Sequence, residues 1–401
     1  MLCLTQMTTT SQFEDTRASM DNITINETTR SLSADVDVEN YVGWQRFVQR
    51  PPAEKPEALT RQEYAKLSEG AREAYDSDRK RYHIRFGPLK STIMRDIHQD
   101  LLELGEDNLY ARAGARQGAI IDGSGTLGKT TILHYLGRHF ERHQLKKEPR
   151  ETDSFGVRTI FVPVLFVSVP ADTSPKALLE KLVGFYNAPH SDRATVSQLT
   201  QLFKKLALQH QTQLVLLDDI HNLHQGNKRA STVNDLIKEL MNNIPATFVY
   251  AGINCRKSVL LVDELTQDRE RFSQTDNRFI YYCVKPFAYD AHHEQSEWRQ
   301  LLRTLEQHLM LLDAKPGFLE DHHLLLYMRT RGGLGALTNL VSRAANRSIR
   351  SGSESINEAL LKQIKTPHAS QGSYEEMLVR LKRSKPGSLE EVARLLNSEI
   401  A

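Results

Sequence analysis

Three glycines and one lysine lie within eight residues in the segment GSGTLGKT, from Gly123 to Thr130. The segment fits a pattern of two glycines separated by four residues, with Lys and then Ser or Thr after the second. Small residues let consecutive backbone N–H groups turn inward around phosphate oxygens. Lys129 can then reach the terminal phosphates, and the Thr130 hydroxyl can ligate Mg²⁺. The segment therefore predicts a loop that holds a nucleoside triphosphate.

The surroundings of the loop decide between this interpretation and an accidental lysine in a glycine-rich turn. Ala119–Ile121 reads as a strand, and Ile132, Leu136 and Phe140 repeat at helical spacing after the loop. A helix that begins near Lys129 adds the partial positive charge of its N-terminus to the phosphate site. This strand–loop–helix context favours a phosphate loop, to which we assign Gly123, Ser124, Gly125, Thr126, Leu127, Gly128, Lys129, Thr130 and Thr131.

A second chemical feature is the pair of acids that ends the apolar run QLVLLDD. A buried strand that delivers acids at its carboxyl end places a carboxylate beside a phosphate-bound metal. In this interpretation Asp218 holds Mg²⁺ and Asp219 polarises the attacking water. The alternative is that the two acids only end a strand at the protein surface.

The elements around these residues predict an α/β fold. Apolar runs rich in β-branched residues mark five strands, and helical patterns alternate with them, which is typical of a parallel sheet covered by helices on both faces. After Pro286 the pattern is entirely helical. The strand signals are Ala119–Ile121, Arg158–Val169, QLVLLDD, ATFVYAG and FIYYCV.

The chain divides into five predicted regions. Residues 1–40 are rich in Thr, Ser and Asp and predict a disordered tail. A helical arm, with a capping box at Thr60 and Glu63, occupies 41–115. The nucleotide-binding α/β domain spans 116–287, and a helical lid domain spans 288–366. Residues 367–401 read as a linker, SQGS, followed by two short helices.

Local start signals mark several of the predicted helices. Ser174 with Pro175 opens a helix after the second strand. Ser355 and Glu358 fit a capping box at the start of a lid helix. The two C-terminal helices are predicted to start at Ser373, with Glu376, and at Ser388, with Glu391.

Composition narrows the class of protein. The chain has 401 residues with 52 basic and 50 acidic side chains, a net charge of +2 that argues neither for nor against nucleic acid. The three cysteines show no metal or disulfide spacing. No apolar run is long enough to span a bilayer, and the start of the sequence lacks the order of a secretion signal. We therefore expect a cytoplasmic protein without a membrane partner.

Taken in order, the phosphate loop, LVLLDDIHNL, IPATFVYAGIN, RFIYYCVKPF and RTRGGLGALTNLVSRAA resemble the AAA+ ATPases of transposons, the TniB/TnsC group. The resemblance covers about residues 42–365. It implies ATP and Mg²⁺ as ligands, ATP hydrolysis, and homo-oligomeric rings or filaments on double-stranded DNA. It also implies recruitment or stimulation of a DDE-type transposase or integrase and a role in target choice.

The resemblance carries further roles onto single residues. Lys129, Asp219 and Arg278 become the catalytic residues, with Arg278 reaching a neighbouring subunit's nucleotide and Arg269 and Arg271 as competitors. Asn254, or Ile253 beside it, lies where a polar sensor of the γ-phosphate is expected. Many such ATPases carry Glu where this chain has Asp219, so slow hydrolysis, or a switch held mainly by ATP binding, is expected. No arginine occupies the start of the lid helix around GGLGALTNL, and Arg343 lies further along.

Three groups of basic residues are candidates for DNA phosphate contacts: Lys228 with Arg229, Lys176, and Arg79 with Lys80 and Arg81. For each group, a hydrated surface charge is the alternative. Other functions also stay open, namely an oligomerising signalling switch that needs no DNA, a helicase loader and, least favoured, a small-molecule kinase.

Overall fold

The computed structural model describes residues 37–85, 91–112, 116–147, 151–154, 157–171, 173–222, 228–255, 278–290, 295–366, 368–384 and 386–397. The chain from Val38 onward forms one compact unit. Most of the tail predicted at 1–40 lies outside the described residues. Within them, no helix combines the length and the apolar character needed to cross a bilayer.

A parallel sheet of five strands forms the centre of the molecule, in the order β4-β5-β6-β1-β7. Every neighbouring pair is parallel, and β1, β4, β5 and β6 are buried nearly throughout, as expected for strands covered on both faces. The predicted fold class is therefore confirmed. The strands are β1 Gly118–Asp122, β4 Val164–Ser168, β5 Leu214–Asp218, β6 Thr247–Gly252 and β7 Phe279–Cys283.

The single strand predicted over Arg158–Val169 is wrong. The segment belongs to two sheets: β3 (Val157–Ile160) pairs antiparallel with β2 (Glu151–Ser154), and β4 begins at Val164. Pro163 separates them because it has no N–H to donate to a ladder. Its carbonyl oxygen instead accepts bonds from the N–H groups of Gln213 and Leu214, at 2.9 Å each.

Helices of the arm and of the α/β domain surround this sheet. The capping box at Thr60 and Glu63 is present, and Ser174 caps a helix whose first residue is Pro175, both as predicted. The arm contains α1 Tyr41–Gln49, α2 Arg61–Lys66, α3 Glu69–Arg85 and α4 Thr92–Tyr110; the α/β region contains α5 Lys129–Lys147, α6 Pro175–Phe185, α7 Val196–Gln209, a 3₁₀ turn Ile220–Asn222 and α8 Lys228–Asn243.

The remaining helices follow the last strand. They are α9 Glu297–Gln307, α10 Phe318–Asp321, α11 His323–Thr330, α12 Leu334–Ser351, α13 Glu358–Gln363, α14 His368–Ser384 and α15 Leu389–Asn397. Three local predictions are wrong here. Asn357, and not Ser355, caps α13, because its side chain accepts from the N–H of Leu360 at 2.8 Å. The predicted linker SQGS is helical and lies within α14, and because α14 begins at His368, the helix start predicted at Ser373 is wrong too.

Packing explains why α14 forms through residues of low helix propensity. Met377 of α14 is buried, and the guanidinium of Arg329 on α11 lies 5.2 Å from the centre of the Tyr374 ring. Arg329 itself donates to the carbonyl oxygens of Leu361, Lys362 and Ile364. These contacts hold α14 against α11, and tertiary contacts of this kind routinely override local propensity.

The arm contacts both the sheet domain and the lid. Trp44 of α1 stacks on Phe166 of β4 with ring centres 5.9 Å apart. Arg79 of α3 is fully buried and donates to both oxygens of Glu354, at 2.7 and 3.0 Å, just beyond the end of α12. Arg79 also pairs with Asp76. A buried, paired guanidinium is not available to DNA, so the prediction of a DNA contact at Arg79 is wrong.

His83 of α3 holds a second buried link between the arm and the lid. Its Nε2 accepts from the N–H of Met310 at 2.8 Å, so its Nδ1 carries the proton and donates to Oδ1 of Asn346 at 3.0 Å. Burial, with a smaller contribution from the neighbouring Arg79 charge, lowers the pKa of His83 to about 4, although the hydrogen bond with Asn346 opposes the shift. The neutral ring is the form that fits this site.

The pH dependence of stability tests this link. The pKa of His83 is lower in the folded state, so the unfolded chain binds more protons between pH 6.5 and pH 4, and the stabilising contribution is lost as pH falls through that window. We expect His83→Gln to be less stable than wild type at pH 7, and the difference to close by about 3 kcal/mol towards pH 4. Urea unfolding of both proteins across this range measures the difference. His190→Gln, at an exposed histidine, is the control, and a pH-independent difference for His83→Gln would contradict the assignment.

Candidate functional site

The carboxyl ends of four adjacent strands meet at one edge of the sheet. The loop after β1 lies beside the end of β6, where the N–H of Gly123 donates to the carbonyl oxygen of Gly252 at 3.3 Å. In the ladder between β4 and β5, Ser168 is opposite Asp218. The topology therefore brings the predicted phosphate loop and the acidic strand end to the same edge, where ligands bind in open α/β sheets.

Lys129 organises the loop from inside. Its Nζ donates to the carbonyl oxygens of Gly123 and Ser124, at 2.8 and 2.7 Å. Burial lowers the pKa of Lys129, and the nearby carboxylates, Asp218 first, oppose that shift. Two glycines are required sterically: Gly128 has φ +92°, and a Cβ on Gly123 would lie 2.5 Å from the carbonyl oxygen of Val284.

The two predicted metal ligands are in contact. The Thr130 hydroxyl, at the start of α5, is hydrogen-bonded to the buried carboxylate of Asp218. Burial raises the pKa of Asp218, while the Thr130 hydroxyl and the N–H of Asp219 favour its charged form. The Thr130 hydroxyl and the buried Asp218 carboxylate form an all-oxygen donor set, which suits Mg²⁺. The residues thus fit the metal that the sequence predicted.

Asp219 has a strained backbone and a side-chain partner that the sequence did not reveal. Its φ is +55°, in the left-handed region that non-glycine residues adopt rarely. Its N–H donates to Oδ1 of Asp218 at 2.8 Å, and its own Oδ2 accepts from the Ser168 hydroxyl at 2.9 Å. Ser168 therefore holds the carboxylate of Asp219 towards the end of β4.

Sequence analysis also missed a polar cluster at the end of β1, next to the first residue of the loop in sequence. Asp122, the last residue of β1, accepts a hydrogen bond from the Tyr281 hydroxyl of β7. Burial, and to a smaller extent the Asp122 carboxylate beside it, raises the pKa of the Cys255 thiol to about 12. The signal that could have identified this cluster is a carboxylate inside an apolar strand, immediately before the glycines.

The lid touches the phosphate loop through backbone atoms. The N–H of Gly335, in the first turn of α12, donates to the carbonyl oxygen of Thr126 at 3.0 Å. Gly333 at the helix start provides no side-chain cap, so the loop carbonyl satisfies one of the free N–H groups of α12. Thr126 has φ +64°, and a Cβ on Gly335 would lie 2.7 Å from its carbonyl oxygen.

A groove of about 880 Å³ opens beside this contact. Gly128, Thr131 and Tyr135 of the loop and α5 line one side of it. The end of α3, the start of α4 and the exposed face of α12 line the rest. The groove is therefore continuous with the phosphate loop.

Other predicted residues lie away from this cluster. Arg278 precedes β7 at the amino end of the sheet, where its Nη1 donates to Oδ1 of Asn242 at 2.8 Å. Asn254 follows β6 at the site's edge, is exposed, and has φ +54°. Lys176 bonds the carbonyl oxygen of Asp192 and lies 3.6 Å from Glu180. Arg269 and Arg271 lie outside the described residues, and the side chains of Lys228 and Arg229 are likewise not described.

Comparison with known proteins gives one family match. Residues 91–278 match the family model described as "Bacterial TniB protein". This match confirms the resemblance to TniB that the sequence predicted. No curated protein matches the chain.

Solved structures show the fold. The ORC2 protein of Aeropyrum pernix, in ADPNP–ADP complexes, is 14% identical over 71% of this chain and 70% of its own length, with a TM-score of 0.50. Two further structures are similar. The ORC1 protein of the same organism, in complex with DNA, is 16% identical over 75% of this chain and 70% of its own length, with a TM-score of 0.47. Cdc6p of Pyrobaculum aerophilum is 14% identical over 78% of this chain and 82% of its own length, with a TM-score of 0.46. The chain thus has the AAA+ P-loop fold.

The lid contact predicts the effect of a methyl group at Gly335. Gly335→Ala places a Cβ against the Thr126 carbonyl and breaks the bond between lid and loop. Losing one hydrogen bond costs about 0.5–1.5 kcal/mol, so we expect nucleoside triphosphate binding to weaken roughly twofold to tenfold. Calorimetric titration measures this. The control is Gly184→Ala, in α6, where a Cβ meets no atom within 4 Å; equal affinities in the two variants would count against a coupling role.

The hydrogen bond from Ser168 to Asp219 predicts that its loss changes the rate of nucleotide hydrolysis. Ser168→Ala frees the Asp219 carboxylate from β4, so we expect the basal hydrolysis rate to rise roughly twofold to tenfold, the range that corresponds to one hydrogen bond. Affinity for the nucleotide should stay unchanged. Ser168→Thr keeps the hydroxyl and serves as the control. Single-turnover assays provide the rates, and a slower Ser168→Ala enzyme would mean that the bond aligns Asp219 for catalysis.

Proposed function

We propose that this protein is an ATPase that binds MgATP at the loop of Gly123–Thr131 and assembles on double-stranded DNA to regulate transposition. The observation that carries the ATPase part is the convergence of Lys129, Thr130, Asp218 and Asp219 at one sheet edge. The match of residues 91–278 to the TniB family supports the transposition part.

The arrangement supplies the chemistry of phosphoryl transfer to water. The loop N–H groups, the N-terminus of α5 and the Lys129 ammonium would bind the β- and γ-phosphates. Thr130 and Asp218 would hold Mg²⁺, which offsets phosphate charge when bound. Asp219 would accept a hydrogen bond from the attacking water and polarise it. The A. pernix ORC2 structure, which has this fold, contains ADPNP and ADP, and this supports an adenine nucleotide as the ligand.

Assembly would complete the site. Arg278 lies at the amino end of β7. The phosphate loop with Lys129 follows the carboxyl end of β1, which is the neighbouring, parallel strand. Five strand residues span about 16 Å, so Arg278 is too far to serve its own subunit's phosphates. An arginine in this place would act on the nucleotide of a neighbouring subunit and make hydrolysis depend on assembly. Such a subunit would recruit or stimulate a DDE transposase when it is assembled on target DNA.

Loss of the Lys129 ammonium tests nucleotide binding. We expect Lys129→Ala to weaken magnesium-dependent ATP binding by roughly a hundredfold, because a buried charge-assisted contact to phosphate is removed. Lys205→Ala removes an exposed lysine of α7 and is the control. Calorimetry with and without Mg²⁺ measures both affinities, and wild-type protein that fails to bind MgATP would overturn the proposal.

Assembly on DNA needs its own experiment. Electron microscopy with duplex DNA and a non-hydrolysable ATP analogue should show rings or filaments that are absent when either ligand is omitted. Oligomers that form with the analogue alone and do not respond to DNA would instead indicate a signalling switch.

A further inference from the structure

The exposed face of α12 carries a line of arginines that the proposed function has not used. Arg343, Arg347 and Arg350 lie at i, i+4 and i+7, and all three are exposed and line the groove beside the phosphate loop. Residues at these spacings share one face of a helix. We call this face, defined by Arg343, Arg347 and Arg350, the arginine stripe.

The stripe is electrostatically unbalanced. The residues that line the groove in the described part of the chain include four arginines, Arg85 being the fourth, and no aspartate or glutamate. Arg343 donates to the carbonyl oxygen of Lys365 at 2.7 Å. Arg347 and Arg350 have no hydrogen bond or ion pair with any described residue. Like charges at i,i+4 destabilise a helix, and only Arg350 lies in the last turn, where the helix dipole favours a cation.

Position separates the stripe from the phosphates of a nucleotide held by the loop. Gly335 marks the end of α12 that touches the loop. With a rise of 1.5 Å per residue, Arg343, Arg347 and Arg350 lie about 12, 18 and 22 Å further along the helix axis. A triphosphate held by Lys129 would lie at the near end of the groove, so Arg347 and Arg350 lie well beyond its phosphates.

We propose that the arginine stripe binds the phosphate backbone of nucleic acid, and this inference rests on the proposed assembly on DNA. All four basic residues of the groove are arginines, whose planar donors match phosphate oxygens in pairs. The exposed amide of Asn339 also lines the groove and offers neutral hydrogen bonds to a backbone. The candidates that the sequence suggested for this role are weaker, since Arg79 is buried and Lys176 is already bonded.

The helix α12 would couple the binding of nucleotide to the binding of DNA. One helix, α12, touches the phosphate loop at Gly335 and presents the stripe along the rest of its exposed face. A nucleotide that fixes the position of α12 also fixes the stripe. DNA affinity therefore depends on the nucleotide state through a single rigid helix.

Salt dependence of DNA binding tests the stripe. The variant is Arg347→Gln/Arg350→Gln, and the probe is a fluorescent 30-base-pair duplex with a non-hydrolysable ATP analogue and Mg²⁺. Each phosphate contact contributes about 0.9 to the slope of log K against log salt, so the slope should fall by about 1.8 and affinity at 0.1 M salt by roughly tenfold or more. Anisotropy measures both quantities.

Two control variants separate the effect of where the arginines lie from the effect of their charge. Arg46→Gln/Arg193→Gln removes the same charge from exposed arginines of α1 and the loop before α7, and its slope should equal that of wild type. Arg347→Lys/Arg350→Lys keeps the charge of the stripe, and most of the slope should return. Thermal unfolding and calorimetric ATP affinity of the stripe variant should match wild type.

Each other outcome overturns the assignment in a distinguishable way. A wild-type slope in the stripe variant removes the stripe from DNA binding and leaves the proposed function intact. Weaker ATP binding without DNA assigns the arginines to the nucleotide pocket. Loss of DNA-independent oligomers assigns them to an acidic surface of another copy. Wild-type protein with no affinity for DNA refutes the assembly part of the proposed function itself.

Discussion

The hydrogen bond between the Thr130 hydroxyl and the Asp218 carboxylate is the interaction on which the site depends. It joins the helix after the phosphate loop to a strand two positions away in the sheet. The carboxylate is buried, and burial raises its pKa, while the Thr130 hydroxyl, the N–H of Asp219 and the Lys129 charge favour its ionised form. Such a group favours a cation at this place. The register of β1, β6 and β5 fixes where that cation would lie.

The strands position these oxygen donors, and the lid is joined both to the phosphate loop and to the arm. The lid contacts the loop through one backbone bond, and it is held to the arm by the buried Arg79–Glu354 pair and by His83. The arm returns to the sheet domain, where α4 packs on α5. A buried ion pair contributes little net stability, but loss of one partner is costly. The pair therefore fixes the position of the arm against the lid more than it adds to stability.

Sequence reasoning predicted the parts of the site that are local in the chain. The glycine loop and the acids after β5 are short patterns with strict spacing, and their strand and helix context is visible as hydrophobic periodicity. The bond from Ser168 to Asp219 was not predictable in this way, because it depends on the register between β4 and β5. Gly335 was invisible for the same reason, since only the tertiary fold brings it to Thr126. The errors at Arg79 and SQGS also come from packing that local composition does not reveal.

The charge distribution shows why the whole-chain balance of +2 carries little information. Basic residues in the arm are matched by acids, as in the Arg79–Glu354 and Arg81–Asp78 pairs. On α12 the arginines continue through the middle of the helix, where the dipole provides no compensation, and no aspartate or glutamate is among the described residues that line the groove beside them. Exposed charges are weakly coupled beyond a Debye length of about 8–10 Å, so an anion at the stripe responds to these local arginines and hardly to the rest of the protein. The near-neutral total is therefore compatible with one strongly basic groove, and only the fold reveals where it is.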